Sequence, residues 1–275
     1  MKGLFFNSEA GENWNRIPTP PQEEQLLSFG GSQLWILRKQ TGWALALQSA
    51  GLTDSCADHG LPHEADLSYG PCKKPDDIPW ADYYVDDADD WLTAELSLPD
   101  KPIAAHPLQP ILLPDGEKAR FTTLIPLELH LKTGKMEREL ITVPSMILSK
   151  SLFGEPDTGE IVYSSPLEVH HRDAEITIPG YCARCDMRVQ NISGGLLDFS
   201  RVCIRVEYLG LYRTGRAFAT DEIIFAFRGA EHASSLSFNR KTESRGYHRL
   251  SSPRIAGYGS LIRKSFDFFR SLASY

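Results

Sequence analysis

Residues 181–227 read YCARCDMRVQNISGGLLDFSRVCIRVEYLGLYRTGRAFATDEIIFAF, and this stretch decides the fold class. From Ala183 to Gln190 small or apolar side chains alternate with polar ones, which puts each kind on one face of an extended chain. The same period returns from Arg201 to Tyr208 after a glycine-containing loop. Both segments are therefore predicted to be antiparallel strands with one side in the core.

The charges on these two strands also suggest a register. If the strands are neighbours, the register pairs Val189 with Val202, Asp186 with Arg205, and Arg184 with Glu207. Such opposite-charge pairs contribute only about 0.2–1 kcal/mol each, so they select a register more than they hold a fold. The next run, residues 222–227, is apolar on both sides and predicts a strand in the middle of a sandwich.

The rest of the chain repeats this strand pattern. Residues 33–39 and 43–48 flank a short glycine-containing loop and predict a hairpin, and residues 118–131 alternate over their full length. Residues 50–94 lose periodicity and form a long acidic excursion. No amphipathic crossover helices separate the short strands, which favours an all-β, mainly antiparallel fold.

We divide the chain into three parts on this pattern. Residues 1–100 are predicted to be an N-terminal β region that carries the long acidic loop. Residues 101–232 are predicted to form an immunoglobulin-like β-sandwich. Residues 233–275 are predicted to be a basic linker followed by one C-terminal amphipathic helix.

That helix is predicted for residues 258–274 from a period of 3.6 residues. Its apolar half consists of Tyr258, Leu261, Ile262, Phe266, Phe268, Phe269, Leu272 and Ala273. Burying each large side chain contributes on the order of 1.5–3 kcal/mol, so the face requires a partner surface. Three partners stay open: the chain's own sandwich, a second protein chain, or an anionic membrane surface.

Charge and cysteine content exclude several classes of protein. The net charge of −7 argues against nucleic acid as the main partner, and no apolar run is long enough to span a bilayer. The first residues do not resemble a secretory signal, and five cysteines without a repeating spacing suit reduced thiols. We therefore expect a cytoplasmic protein.

The charge is unevenly distributed along the chain. Residues 54–100 hold thirteen acidic residues and two lysines, a local net of −11, whereas residues 239–275 hold eight basic and two acidic residues, a local net of +6. Two interpretations stay open: both segments are solvated surfaces, or they attract each other within or between chains.

The strongest candidate for a metal site is a loop with four potential zinc ligands. Cys56, His59, His63 and Cys72 follow the spacing C-x2-H-x3-H-x8-C, and thiolates and imidazoles are typical zinc ligands. The spacing matches no common zinc finger, so an ordinary polar loop remains the alternative and no cofactor is predicted. Cys182 and Cys185 form a CxxC, but this spacing on a strand directs the two thiols to opposite faces.

Two further clusters are weaker candidates for a functional site. The aspartates between residues 76 and 90 could bind a cation, but they lack the glycine and terminal glutamate of an EF-hand loop. His170 and His171 are adjacent at the end of a predicted strand and are expected at the surface. The common catalytic motifs GxSxG, GxxxxGK[ST] and HExxH do not occur.

Several segments, taken in order, resemble a family of uncharacterised β-rich proteins known as domain of unknown function 432. The resemblance rests on Gly31, Trp35, Arg38, Trp43 and the segments 98–102 (LPDKP), 113–116 (LPDG), 125–127 (IPL), 143–144 (VP), 148–149 (LS), 153–154 (FG) and 159–160 (GE). It covers most of the chain. The family implies a β-rich cytosolic protein and no established activity, cofactor or catalytic residue.

These observations favour a binding or structural role that acts through protein–protein contacts, with self-association or another chain as partner. The competing hypothesis is a zinc-binding protein or a metal-dependent enzyme that uses the loop from Cys56 to Cys72. The residues assigned to partner contacts are Leu261, Ile262, Phe266, Phe268, Phe269 and Leu272.

Overall fold

The computed structural model is built almost entirely of β-strands. It describes residues 2–3, 15–49, 67–85, 89–107, 109, 111–133, 135, 137–154, 156–157, 159–172, 176–215, 217–229, 232, 234–242, 245–256, 261–263 and 266–267. The sheets are mainly antiparallel, which confirms the all-β prediction.

The chain contributes twenty-five strands within the described ranges. The first twelve are β1 (Lys2–Gly3), β2 (Arg16–Pro18), β3 (Glu24–Phe29), β4 (Ser32–Lys39), β5 (Gly42–Ser49), β6 (Ser68–Pro71), β7 (Ala81–Tyr84), β8 (Trp91–Ser97), β9 (Ile103–Pro107), β10 (Ile111–Leu113), β11 (Lys118–Pro126) and β12 (Glu128–Thr133). The others are β13 (Glu139–Pro144), β14 (Ser149–Phe153), β15 (Glu160–His171), β16 (Cys182–Asn191), β17 (Leu197–Phe199), β18 (Arg201–Ile204), β19 (Leu211–Thr214), β20 (Ala217–Thr220), β21 (Glu222–Phe227), β22 (Ser234–Asn239), β23 (His248–Ser251), β24 (Leu261–Arg263) and β25 (Phe266–Asp267). A single 3₁₀ turn, Val206–Tyr208, follows β18.

The strands form two compact units that each combine distant parts of the chain. Unit 1 comprises Met1–Ser97, Pro126–Ile147 and Pro179–Cys182, and unit 2 comprises Leu98–Ile125, Leu148–Ile178 and Ala183–Tyr275. The three-part division at residues 100 and 232 and the immunoglobulin-like arrangement stay predictions.

Unit 1 holds two antiparallel sheets. One has the strand order β1-β6-β3-β4-β5-β7 and the other the order β13-β12-β8-β2. The hydroxyl of Ser32 donates a hydrogen bond of 2.6 Å to the carbonyl of Pro144, and the Trp43 indole donates one of 3.3 Å to the Thr19 hydroxyl. The first of these hydrogen bonds joins β4 of one sheet to β13 of the other.

The predicted hairpin is confirmed in unit 1. Strands β4 and β5 pair from Ser32 opposite Ser49 to Lys39 opposite Gly42. Gly42 has a φ of +121°, and a Cβ there would lie 2.0 Å from the carbonyl oxygen of Tyr83. Only glycine fits this turn without strain.

Unit 2 is dominated by one mixed sheet. Its main strand order is β23-β19-β20-β16-β11-β15-β9-β18-β25; β14 joins at β15, and β21, β22 and β24 continue in that order from β16. Strand β21 is paired on both sides, as the apolar run at residues 222–227 predicted. The buried side chains include Phe121, Val162, Cys185, Met187, Val189, Val202, Ile204, Phe218, Ile223, Phe225 and Leu236.

The predicted register of the two alternating segments is wrong, and β16 pairs parallel with β20 and β21 instead of antiparallel. The buried face of β16 is right, but β18 ends at Ile204, and Cys203 and Arg205, which were expected to face outward, are buried. Strand β16 pairs with β20 and β21 and is a neighbour of β11, while β18 pairs with β9 and β25. Arg205 pairs with Glu160 and Asp186 accepts from Arg184. Alternation fixes which face is buried, but it does not choose between several apolar neighbours.

The predicted C-terminal helix is also wrong. Leu261–Arg263 pairs antiparallel with β22, and Phe266–Asp267 pairs with β18. Apolar β-branched and aromatic residues occur in both helices and strands, so their spacing did not decide between the two. The open edges of other strands offer backbone hydrogen bonds to this segment, and the spacing of side chains cannot reveal those edges. Phe268, Phe269 and Leu272 lie outside the described residues.

Two sequence assignments change in smaller ways. Residues 118–131 form two strands instead of one, because Pro126 ends β11 and the chain then pairs with β8 and β13 as β12. Strand β3, where only loop or short strand was expected, pairs with β4 and β6.

Candidate site: a basic pocket in unit 2

The most distinctive site in unit 2 is a pocket whose described lining is entirely basic. Its volume is about 500 Å³, and its lining residues are Lys118, Arg120, His171, Arg172 and Arg188. We call this the basic pocket. Three guanidinium groups, one ammonium group and one imidazole thus share one concave surface.

Three neighbouring strands bring these residues together. Strand β11 lies between β16 and β15 in the sheet. The amide of Arg172 donates a hydrogen bond of 3.0 Å to the carbonyl of Arg120, immediately beyond the pairing of Phe121 with His171. Because Phe121 is buried, the period of two sends its neighbour Arg120 to the other face.

The charges of the pocket are only partly compensated. Arg188 contacts Glu222 at 3.2 Å, while its buried Nε has no hydrogen-bond partner in the described part of the chain. Lys118, Arg120 and Arg172 form no ion pair with any residue that the structure describes. Like charges held this close repel each other, so the pocket is electrostatically prepared for an anion.

A polar network extends from the pocket along the same sheet. The carboxylate of Asp186 accepts hydrogen bonds of 2.8 Å from Arg184 and from the Thr122 hydroxyl, and it lies 3.8 Å from the Lys241 ammonium. Burial opposes ionisation of Asp186, but these hydrogen bonds and charges more than offset it and lower the pKa of the carboxyl group. The network therefore fixes strand β16 beside the pocket with an ionised aspartate.

Asp221 anchors the far side of this network. It is completely buried and accepts hydrogen bonds from the Gly210 amide at 2.7 Å, the Tyr212 hydroxyl at 2.9 Å and Arg240 at 2.5 Å. Burial, followed by the Asp221 charge, raises the pKa of Tyr212 to about 12. A buried carboxylate with this many donors acts as a structural tie, because removing its partners would leave an uncompensated charge.

Unit 1 contains a pocket of similar size with different electrostatics. Its volume is about 580 Å³, and its lining residues are Pro21, Gln22, Glu24, Leu37, Arg38, Lys39 and Gln40. Arg38 contacts Asp90 at 3.0 Å, and Lys39 contacts Asp82 at 2.5 Å. The acidic segment between residues 76 and 90 thus neutralises the two cations of this pocket, which we call the paired pocket.

Unit 1 also places a serine, a histidine and a glutamate in line. The Ser97 hydroxyl lies 2.7 Å from His130 Nε2, and His130 Nδ1 lies 3.2 Å from a carboxylate oxygen of Glu139. A hydrogen bond from Thr142 lowers the pKa of the Glu139 carboxyl group. Burial acts in the opposite direction, and a hydrogen bond from His130 lowers the pKa further.

This trio has the order of a hydrolytic triad, but acyl transfer also requires donors for an oxyanion. Backbone N–H groups of paired strands lie in the plane of the sheet and are used in its ladders, so a sheet face does not supply them. We assign the trio to surface hydrogen bonding.

The sequence-based metal site lies largely beyond the described residues. Cys56, His59 and His63 are outside them, and Cys72 is exposed with its Sγ 3.7 Å from the carbonyl oxygen of Lys73. Among the described residues, no group of three or more His, Cys, Asp or Glu side chains is placed to hold a metal ion. Zinc binding by this loop stays a prediction.

The two cysteines of the CxxC are both buried thiols. Burial raises the pKa of Cys182 and raises that of Cys185 to about 12, which suppresses the reactive thiolate. Neither thiol is therefore suited to redox or nucleophilic chemistry.

Sequence reasoning identified the members of the basic pocket only singly. The alternation placed Lys118 and Arg120 on the outer side of one strand and Arg188 on the outer side of another, and His171 was expected at the surface. What it lacked was the adjacency of β16, β11 and β15. Basic residues on three separate strands indicate a common binding site only when the order of these strands in the sheet is known.

The fold and the pocket define an all-β protein with a basic pocket on a mixed sheet. A family model, described as protein of unknown function (DUF432), matches residues 13–270. The chain belongs to this family, which confirms the resemblance found in the sequence. No curated protein and no solved structure matches the chain significantly.

In the described part of the chain, no helix has the length and apolar character needed to cross a membrane.

Proposed function

We propose that this protein is a non-catalytic binding protein that holds an anionic group of its ligand in the basic pocket. The observation that carries the proposal is the lining itself, in which all five residues are basic and Lys118, Arg120 and Arg172 form no ion pair with a residue that the structure describes.

Arginine suits this task because of its geometry and charge. A guanidinium group presents several N–H donors in a planar fork that matches carboxylate and phosphate oxygens, and its hydrogen bonds to anions are among the strongest in proteins. Arg120, Arg172 and Arg188 supply three such forks. Because arginine stays protonated in proteins, these groups bind charge and do not carry protons.

The clustering also has an energetic meaning. Neighbouring cations without acidic partners lower the stability of the free protein, and an anion that binds them restores it. Sites of this kind are typical of binding regions, where local stability is reduced for function. The buried tie at Asp221 and the network at Asp186 keep the sheet beneath the pocket in place.

The test is calorimetric titration of the full chain with pyrophosphate, citrate and sulfate at low ionic strength. We expect saturable binding of at least one anion, and Arg120→Glu/Arg172→Glu should lower its affinity at least about 100-fold through the loss of two charge-assisted contacts. Lys150→Glu reverses an exposed lysine of β14 outside the pocket and is the matched control. A wild-type chain that binds none of the three anions would contradict the proposal.

A second candidate function is protein–protein contact through unit 2. Leu152 on β14 and Ile161 on β15 form a cross-strand pair and are 37% and 54% exposed. Two large apolar side chains on one exposed face favour contact with another chain.

The partner in this second candidate is a further copy or another protein. We expect Leu152→Ser/Ile161→Ser to shift any oligomer of the wild type toward monomer in sedimentation velocity. An oligomeric wild type whose oligomeric state is unchanged in the variant would contradict this candidate. A monomeric wild type would also contradict it if it captured no partner protein that the variant fails to capture.

We also carry forward four proposals from the sequence. They are a cytoplasmic location, an immunoglobulin-like arrangement within residues 101–232, zinc binding by Cys56, His59, His63 and Cys72, and partner or membrane-surface contact by residues 258–274. Metal analysis of protein purified without a chelator tests the third. Stoichiometric zinc that disappears in Cys56→Ser/His59→Ala would support it.

A further inference from the structure

We infer that the ligand of the basic pocket carries two or more neighbouring phosphate groups on a polar skeleton. The inference rests on the proposed anion-binding function and names the chemical class of the ligand. Charge, dimensions and the nature of the lining each support it.

The charge of the pocket exceeds what one phosphate group neutralises. Lys118, Arg120, Arg172 and Arg188 are four permanent cations, and the Glu222 carboxylate beside Arg188 reduces their sum to about +3. A phosphate monoester carries about −1.5 to −2 at neutral pH, so two groups bring about −3 to −4. Two phosphates therefore match the pocket.

The arginines also start from three positions side by side on the sheet. Arg188 lies on β16, Arg120 lies on β11 and Arg172 immediately follows β15, and these three strands are consecutive in the sheet. Neighbouring strands lie about 4.8 Å apart, so the backbone positions span roughly 10 Å. Adjacent phosphate groups can engage guanidinium forks that start from such a row.

The lining also restricts the rest of the ligand. The pocket of about 500 Å³ lies within the range of roughly 300–1,000 Å³ found for small-molecule sites. Most such sites have apolar or aromatic linings, but here no described lining residue is aliphatic and only His171 has an aromatic ring. A hydrocarbon portion would find no aliphatic side chain to contact, so the skeleton that carries the phosphates is polar.

Two sources supply this chemistry: free polyphosphorylated small molecules and lipid headgroups with several phosphates. Both present neighbouring phosphates on a polar skeleton. The first experiment therefore tests whether the pocket binds neighbouring phosphate groups, and a second experiment distinguishes the two sources.

The experiment compares phosphate, pyrophosphate, tripolyphosphate and citrate by calorimetric titration of the full chain in one buffer. We expect pyrophosphate to bind at least about tenfold more tightly than phosphate, and more tightly than citrate, whose charge is similar but whose groups are planar carboxylates. Arg120→Lys keeps the charge and removes the fork, and it should lower pyrophosphate affinity several-fold. Lys150→Glu, outside the pocket, should leave it unchanged.

The outcomes separate this inference from the proposed function. Equal affinities for phosphate and pyrophosphate, or citrate binding as tight as pyrophosphate binding, would overturn the polyphosphate class and leave anion binding intact. Absence of binding for all four anions would overturn both. Unchanged pyrophosphate affinity in Arg120→Glu/Arg172→Glu, with circular dichroism showing a folded variant, would place the ligand elsewhere and overturn the inference.

A sedimentation assay then identifies the source. Vesicles of phosphatidylcholine with and without phosphatidylinositol bisphosphate are mixed with the wild type and with Arg120→Glu/Arg172→Glu. Retention that requires both the bisphosphate and the arginines supports the class with a lipid source. Tight pyrophosphate binding without vesicle retention supports it with a soluble source.

Discussion

The paired pocket of unit 1 and the basic pocket of unit 2 have similar volumes, about 580 and 500 Å³, and opposite charge balance. In the first, Arg38 and Lys39 contact Asp90 and Asp82. In the second, Lys118, Arg120 and Arg172 form no ion pair with a residue that the structure describes, and Arg188 contacts Glu222. Size therefore does not distinguish the two pockets, whereas the partners of their cations do.

This difference teaches which positive charges are available to a ligand. An exposed ion pair contributes only about 0–1 kcal/mol to stability, so the pairs at Arg38 and Lys39 matter chiefly because they occupy the cations. An incoming anion would have to replace Asp90 or Asp82 there. In the basic pocket no described acidic residue has to be replaced at Lys118, Arg120 or Arg172, and the anion relieves the mutual repulsion of these cations.

The largest expected effect compares matched neutralisations in the two pockets. Arg120→Gln/Arg172→Gln should lower pyrophosphate affinity by about 100-fold, because two charge-assisted contacts are lost. Arg38→Gln/Lys39→Gln in the paired pocket should change it less than about twofold, because these cations are already occupied. Calorimetric titration of both variants checks this. Equal losses in the two variants would show that the total charge of the protein, and not the basic pocket, attracts the anion.

A smaller effect is expected when the acidic partner of Arg188 is removed. Glu222→Gln takes a negative charge from a site 3.2 Å from Arg188 while its amide can still contact Asn239. We expect pyrophosphate affinity to rise about three- to tenfold, because Arg188 becomes available to the ligand. Glu95→Gln, which removes the partner of Lys132 in unit 1, is the control. A fall in affinity in the Glu222 variant would mean that the carboxylate positions Arg188 for binding.

A still smaller effect concerns stability without any multivalent anion. Arg172→Gln should raise the free energy of unfolding by a few tenths of a kcal/mol, because it relieves repulsion in the basic pocket. Arg38→Gln should lower it by about 0.2–1 kcal/mol, because it breaks a surface pair. Urea denaturation in a buffer free of phosphate and sulfate measures both. If both substitutions changed the free energy of unfolding in the same direction, the two pockets would not differ in their electrostatic effect on stability.

The last effect concerns the pH dependence of stability. The pKa of Asp186 is lowered on folding from its ordinary value of 3.8, so its ionised form stabilises the protein at higher pH. This stability is lost as the pH falls through the lowered pKa. We expect Asp186→Asn to show a weaker decline of the urea midpoint between about pH 5 and pH 3 than the wild type. Identical pH profiles would show that the network beside the basic pocket does not depend on this charge.

Much of the local structure could be predicted from the sequence. The hairpin around Gly42 and the buried face of β16 follow from a period of two, which depends only on neighbouring residues. The same reasoning placed Arg120 and Arg188 on outer faces. It gave the wrong partner for β16 and a helix at residues 258–274, because both depend on which distant strand edges are open.

Local alternation and composition established the all-β class, the family resemblance, the uneven charge and the outward position of Arg120 and Arg188. Alternation failed where both faces of a strand are covered, since Thr122, Cys203 and Arg205 were on the expected outer faces and are buried. Only the tertiary structure decided that β16, β11 and β15 are consecutive, and that the cations of unit 1 find aspartates. Strand order is set by the packing of the whole sheet. For this reason a set of scattered basic residues becomes a pocket only in the folded chain.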